Sequence, residues 1–509
     1  METAGAPTPP GSRYPRRGTS GGNTSNRGWG NAAALTGRVA LVTSFALLLA
    51  VGLFGPSAAK PPLGPRGWAP GELAWAPSSA VVTALLWAAY LLGAVGVALA
   101  LWRPPARARS WRWPLVLAAG ALLTGPFGSA DHTNYAAYGR IAAQGGDPYL
   151  VPPEAWAGGA DPVTGAVEPP WTETVSVYGP FATLLQLLTS LVGGESMRQT
   201  VWVWQVVTVV AWLAVRWLLL RAAVDPRRAD TLWIANPLVF GVGVLGAHLD
   251  VVAAALALAA LVTAARSPWA AGALSGLAVS TKITYGVVGL AVVLAWVQHQ
   301  RDGLVRRVAA YAAAALAVAV PLHLWAGPHV FDQLGRARRS VSLATPWRLV
   351  VELLTGPLPS STVRSLVFAL ATVLFAAFVL LLWRLTVDAA PATVTGAGAR
   401  WAFVLSTAYA LSAPYSLPWY DQLTWATLPV LAAGVLDYVL LARLAVMAVA
   451  YVPGRVVAMT PTVEDVTLTV RRRVAPYAVL GLWVALTVAW RRASRRSSEP
   501  RPAASPPPR

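Results

Sequence analysis

Asp131 begins the run Asp131-His132-Thr133-Asn134-Tyr135 a few residues after an apolar stretch ends. A carboxylate at headgroup depth, partly withdrawn from water, suits a base that takes a proton from a substrate held beside lipid. The same residue type also caps a helix by accepting from free backbone N–H groups, and the two roles are compatible. Lys282, one of two lysines with Lys60, lies between apolar runs over 270–279 and 283–296. Its ammonium either anchors to headgroups or neutralises a phosphate, and the positive-inside rule favours phosphate for a basic residue on the outer side. Arg336, Arg338 and Arg339 follow in a later outer loop. Guanidiniums grip phosphate with two parallel hydrogen bonds, although anionic headgroups attract them as well.

Aromatic residues stand beside these charges. Tyr178 sits in Val177-Tyr178-Gly179-Pro180, and Trp419 and Tyr420 sit in Pro414-Tyr415-Ser416-Leu417-Pro418-Trp419-Tyr420-Asp421. Interfacial belts enrich Trp and Tyr, and flat rings beside a carboxylate also fit the apolar face of a sugar. His248 and Asp250 share the hairpin tip Gly246-Ala247-His248-Leu249-Asp250. One His-x-Asp pair is too few ligands for a metal site, and the absence of cysteine excludes disulfides and thiolate chemistry. No metal and no cofactor is expected.

Membrane-spanning helices must position these groups. Of the 509 residues 56% are hydrophobic and 12% charged, which excludes a soluble multidomain enzyme. At about 20 residues per crossing the apolar runs allow 13–14 transmembrane helices. The expected spans are 35–54, 78–102, 114–128, 198–222, 231–247, 251–266, 269–282, 284–298, 305–326, 361–386, 400–414, 420–437, 438–454 and 475–490. The net charge of +19 gathers in clusters at the ends of apolar runs, so it reads as topology and not as a nucleic-acid surface. Both termini then lie in the cytoplasm and 129–197 lies outside, with short amphipathic helices over 135–144 and 181–192 resting on the membrane. Residues 1–31 and 491–509 lack the apolar content to bury a core and are expected to be disordered, leaving 32–490 as one transmembrane domain.

A carboxylate base, cations for a phosphate and aromatic plates, all at one face, are the parts of a lipid-phosphate sugar transferase. A transporter or flippase of lipid-linked glycans would instead place its polar groups near the bilayer midplane in paired broken helices.

Six motifs, in order, carry a family resemblance: Asp131-His-Thr-Asn-Tyr135, Gly145-Gly-Asp-Pro-Tyr149, Val177-Tyr-Gly-Pro180, Ala235-Asn236-Pro-Leu238 leading to Gly246-Ala-His248-Leu-Asp250, Ser280-Thr-Lys282, and Leu417-Pro-Trp419-Tyr420. Together the set resembles the actinobacterial polyprenol-phosphate-mannose-dependent α-1,6-mannosyltransferases, integral-membrane glycosyltransferases of the GT-C type. The resemblance implies an all-α, polytopic GT-C fold. It also implies inverting, metal-independent transfer of mannose from a polyprenyl-phosphate donor to a cell-envelope glycan or glycolipid such as lipomannan, on the extracytoplasmic side. Another polyprenyl-phosphate sugar, such as arabinofuranose, is the alternative donor. Asp131 is then the base; Lys282, Arg336, Arg338 and Arg339 lie near the donor phosphate; and Tyr135, Tyr178, Asn236, His248, Asp250, Trp419 and Tyr420 contact substrate.

Overall fold

The computed structural model describes residues 24–108, 110–332 and 340–498. Arg336, Arg338 and Arg339 lie outside the described residues. The chain is all-helical: α1 (Thr24–Leu53), α2 (Ser79–Trp102), α3 (Arg112–Leu123), α4 (Asp131–Ala143), α5 (Pro180–Gly193), α6 (Met197–Ala222), α7 (Asp250–Thr263), α8 (Pro268–Thr281), α9 (Val287–His299), α10 (Leu304–Ala326), α11 (Trp347–Leu354), α12 (Ser360–Leu385), α13 (Val394–Ser412), α14 (Val435–Tyr451), α15 (Pro461–Thr469) and α16 (Ala475–Ser498). Helix starts follow local chemistry. Ser267, for example, accepts from the Ala270 N–H at 3.1 Å to cap α8. α1 begins at Thr24, ahead of the boundary expected at residue 32, and α16 continues past 490.

Six helices among the described residues are long and apolar enough to cross a membrane: Ala32–Leu53, Ser79–Trp102, Met197–Ala222, Leu304–Ala326, Ser360–Leu385 and Pro461–Arg492. The chain is a multi-pass membrane protein. A seventh span is formed if Pro237–Leu245 and Asp250–Thr263, bent by 111° at the tip between them, count as one. This is fewer than the 13–14 expected, and the elements show why. Residues 420–437 form no single span: 418–430 fold as short buried turns of helix around Pro418 and Pro429, 432–435 are exposed, and α14 begins at Val435. Residues 231–247 are likewise interrupted at Asn236, whose side chain accepts from the Leu238 and Val239 N–H groups and restarts the helix. Irregular backbone at such depth is tolerated because protein, not lipid, surrounds it.

Close approach of α1 and α2 depends on small residues. A Cβ at Gly96 would sit 2.7 Å from Leu41 Cγ, so only glycine permits this spacing. α4 departs from its expected place on the membrane surface: Asp131 to Gly139 and Ile141 are all buried. The loops around it are clamped by ion pairs. Lys60 Nζ, wholly buried, reaches Glu72 at 2.9 Å and donates to the Gly52 and Phe54 carbonyls. Arg455 grips Glu168 with two nitrogens.

Candidate active site

Asp131 is the first residue of α4, and Ala130 holds the cap position without a side-chain capping bond. The carboxylate is therefore not spent on capping. Along α4, Asp131, Asn134 and Tyr138 recur at i, i+3 and i+7, one helical face, and all three line a cavity of about 470 Å³. Burial pushes Asp131 up to about 7; Lys282 works against that rise and Asp250 adds to it. A carboxyl group so tuned exchanges its proton near neutrality, which suits a general base.

His248 stands directly behind Asp131. Its Nδ1 lies 3.5 Å from Asp131 Oδ2, its Nε2 is 3.3 Å from Ser129 Oγ, and its ring stacks 3.6 Å from Trp419. The tip that presents it is held tightly: Ala247 has φ 53°, and its carbonyl accepts from Trp204 Nε1 at 2.7 Å. A non-glycine residue in this left-handed region is costly and persists only when surrounding contacts impose it.

Lys282 ends α8 and enters the cavity wall. Its Nζ is 2.8 Å from Asp250 Oδ1 and 3.8 Å from the centre of the Tyr420 ring. A cation fixed by a carboxylate and a ring face needs little reorganisation to meet an anion. Two motifs far apart in sequence meet here. The Gly179 N–H donates to the Thr281 carbonyl at 3.0 Å, and a Cβ on Gly179 would lie 2.2 Å from the Ser280 oxygen. The Gly145-to-Tyr149 motif braces that wall without lining it: Ser176 N–H donates to Pro148 O at 2.8 Å, and the Tyr149 and Thr183 hydroxyls are 2.7 Å apart.

Asp131, Tyr178, Lys282, Trp419 and Tyr420 all line the one cavity. The other expected contact residues stand behind it. Tyr135 is buried, with its ring 5.1 Å from Tyr178 and 5.3 Å from Trp204, and it supports the Tyr178 ring. His248 backs Asp131 and Trp419, and Asp250 backs Lys282. Asn236 is a cap within the broken helix and takes no part in the cavity wall.

Sequence reading missed several lining groups. Tyr138, whose hydroxyl donates to the Thr174 carbonyl at 2.8 Å, was available from its helical spacing to Asp131. Tyr415 belongs to the aromatic run that also carries Trp419 and Tyr420, whereas Tyr409, His323 and Phe331 had no such signal, because they arrive from separate elements. Asp421 was read only as part of an aromatic corner. It is buried against Arg443, which also donates to Ser416 Oγ at 2.9 Å and the Ala410 carbonyl at 2.7 Å, and this pair fixes the Trp419-Tyr420 turn.

Comparison with known proteins gives three likenesses. Residues 38–298 match the family described as alpha-(1->6)-mannopyranosyltransferase, N-terminal domain. Over 192 residues the chain is 28% identical to alpha-(1->6)-mannopyranosyltransferase A of Mycobacterium tuberculosis, a stretch covering 36% of this chain and 36% of that protein. The chain therefore spans about a third of the length of that curated relative. Among solved structures, ArnT from Cupriavidus metallidurans bound to undecaprenyl phosphate aligns with TM-score 0.37 and 16% identity, covering 70% of this chain and 72% of that one. The family match takes in just over half of the 509 residues, including Asp131, His248, Asp250 and Lys282, and the chain belongs to the alpha-(1->6)-mannopyranosyltransferase family.

Proposed function

We propose that the cavity transfers mannose from a polyprenyl-phosphate donor to a mannoside acceptor, with inversion, on the extracytoplasmic face. The observation that carries this is the placing of a base and a cation on the wall of one cavity, Asp131 from α4 and Lys282 from the end of α8. The acceptor's 6-hydroxyl attacks the anomeric carbon, and its proton passes to Asp131 Oδ. The bond between the anomeric carbon and the phosphate oxygen breaks, and the electron pair leaves with polyprenyl phosphate. Lys282, already oriented by Asp250 and Tyr420, meets the charge that grows on that phosphate. Tyr178, Tyr138 and Trp419 offer ring faces to the sugars. The acceptor is a glycan or glycolipid of the cell envelope, and the lipid carrier reaches the cavity from the bilayer.

The test uses purified full-length protein with polyprenyl-phosphate-β-mannose and a short α-mannoside. The reading expects release of polyprenyl phosphate in step with a new α-1,6 linkage. A β-linked product would refute inversion, and arabinofuranose transfer with no mannose transfer would replace the donor.

A further inference from the structure

A second concavity lies away from the cavity, between α12 and α16. Leu374, Phe378 and Leu381 of α12 face Trp483, Val488 and Arg491 of α16 across about 470 Å³. The residues on each helix recur at three- and four-residue intervals, so each side is a continuous apolar stripe. The two helices run the same way: Ala475 and Val479 at the start of α16 pack with Ala344, and Trp483 lies 6.3 Å from Trp347, on which the first turns of α12 rest. α12 begins near the active-site end. Its Val363 and Val367 pack on Trp347, whose Nε1 donates to the Ser412 carbonyl beside the Pro414-Tyr415 segment. Its 26 residues span about 39 Å, so its last turn lies at the opposite end of the bundle.

Cations gather at that far end. Arg384 stands one turn beyond Leu381, and Arg384, Arg491 and Arg492 are all exposed. Among the described residues neither Arg384 nor Arg491 forms an ion pair. Within the groove wall the Thr487 hydroxyl is satisfied, donating to the Trp483 carbonyl at 2.9 Å, and the Trp483 indole N–H is the one unpartnered polar group among the described lining side chains short of Arg491. Basic residues at helix ends mark the cytoplasmic leaflet. A flexible apolar chain fills such a groove within a bilayer, and the guanidiniums at its mouth select an anionic headgroup.

We infer that the α12–α16 groove binds an anionic phospholipid of the inner leaflet, with one acyl chain between Phe378 and Trp483 and the headgroup phosphate on Arg384 and Arg491. The site is independent of the transfer chemistry, and its occupancy does not require the donor lipid.

Native mass spectrometry of the full chain in detergent, titrated with phosphatidylglycerol or phosphatidylcholine, tests this. Each guanidinium favours an anionic headgroup about five-fold, so with two of them the first phosphatidylglycerol should bind at roughly 25-fold lower concentration than phosphatidylcholine. The double variant Arg384→Gln/Arg491→Gln should lose that preference and keep phosphatidylcholine binding. Ala377→Trp, which fills the groove, should weaken both lipids while leaving the thermal melt and mannose transfer as in wild type. An unchanged preference in the double variant, unaltered lipid binding by Ala377→Trp, or a second copy of the chain occupying this face in place of lipid would each overturn the assignment.

Discussion

The Lys282 ammonium is held 2.8 Å from Asp250 Oδ1 and 3.8 Å from the centre of the Tyr420 ring, at the rim of the cavity that Asp131 also lines. The cation and the base candidate are thus positioned by different helices before any substrate enters. Asp250 links them electrically, because it anchors Lys282 and raises Asp131.

The rate should rise with pH through about 7, since Asp131 accepts a proton only when ionised and burial has pushed it up to about 7. Lys282 favours the ionised form, so Lys282→Met should move this acidic limb upward while lowering kcat about 10²- to 10³-fold. Asp250→Asn removes a negative charge and should move the limb downward. Transfer rates measured from pH 5 to 9 for the three proteins check the two directions.

Stability carries the same signature with opposite sense. Asp131 is raised in the folded state above its unfolded value, so the native protein holds the proton more tightly and stability falls as pH rises from about 4 through about 7. Asp131→Asn mimics the protonated group without the ionisation. Its Tm should exceed wild type at pH 8, and the gap should close towards pH 4. Equal melting at pH 8 would show that the ionised carboxylate is not costly where it sits.

His248→Phe keeps a ring on Trp419 but removes the nitrogen 3.5 Å from Asp131. A loss of about 10- to 100-fold in kcat with KM within two-fold is the expected split for a residue that only aims the base. A rise in KM with unchanged kcat would instead make His248 a binding group.

Gly179→Ala forces a methyl group to 2.2 Å from the Ser280 carbonyl oxygen, a distance that the two backbones must relieve by moving apart. The displaced segment carries Lys282, so donor use should fall at least about 100-fold, the penalty of a misplacement near 1 Å. Gly145→Ala has open space around it and a strained φ of 81°, and should cost stability without a matching loss of transfer. Steady-state kinetics with thermal melts for both variants separates the two effects.

The site was more legible in the sequence than the spans were. Asp131, Lys282, Tyr178, Trp419 and Tyr420 stand in short polar or Pro- and Gly-marked runs between apolar stretches, where a charge or a turn is conspicuous, and they share one cavity. Hydropathy misled over 420–437 because it counts apolar side chains and cannot tell a lipid-facing span from the buried turns over 418–430 and the exposed link that leads into α14. The same blindness made α4 an expected surface helix, although its Tyr135 and Tyr138 are buried, Tyr138 at the cavity wall. Which residues stand in front and which behind was not readable either. Asp250 and His248 come to 2.8 Å from Lys282 and 3.5 Å from Asp131 only through contacts between separate elements, which no local pattern encodes.

The most direct test is single-turnover transfer of labelled mannose from polyprenyl-phosphate-mannose to an α-mannoside by wild type and by Asp131→Asn, both shown to be folded and to bind donor. The expected result is transfer by the wild type at pH 8 and a loss of at least about 100-fold in the variant, the scale of a general base. Equal transfer by the two proteins would contradict the assignment of Asp131 as the base.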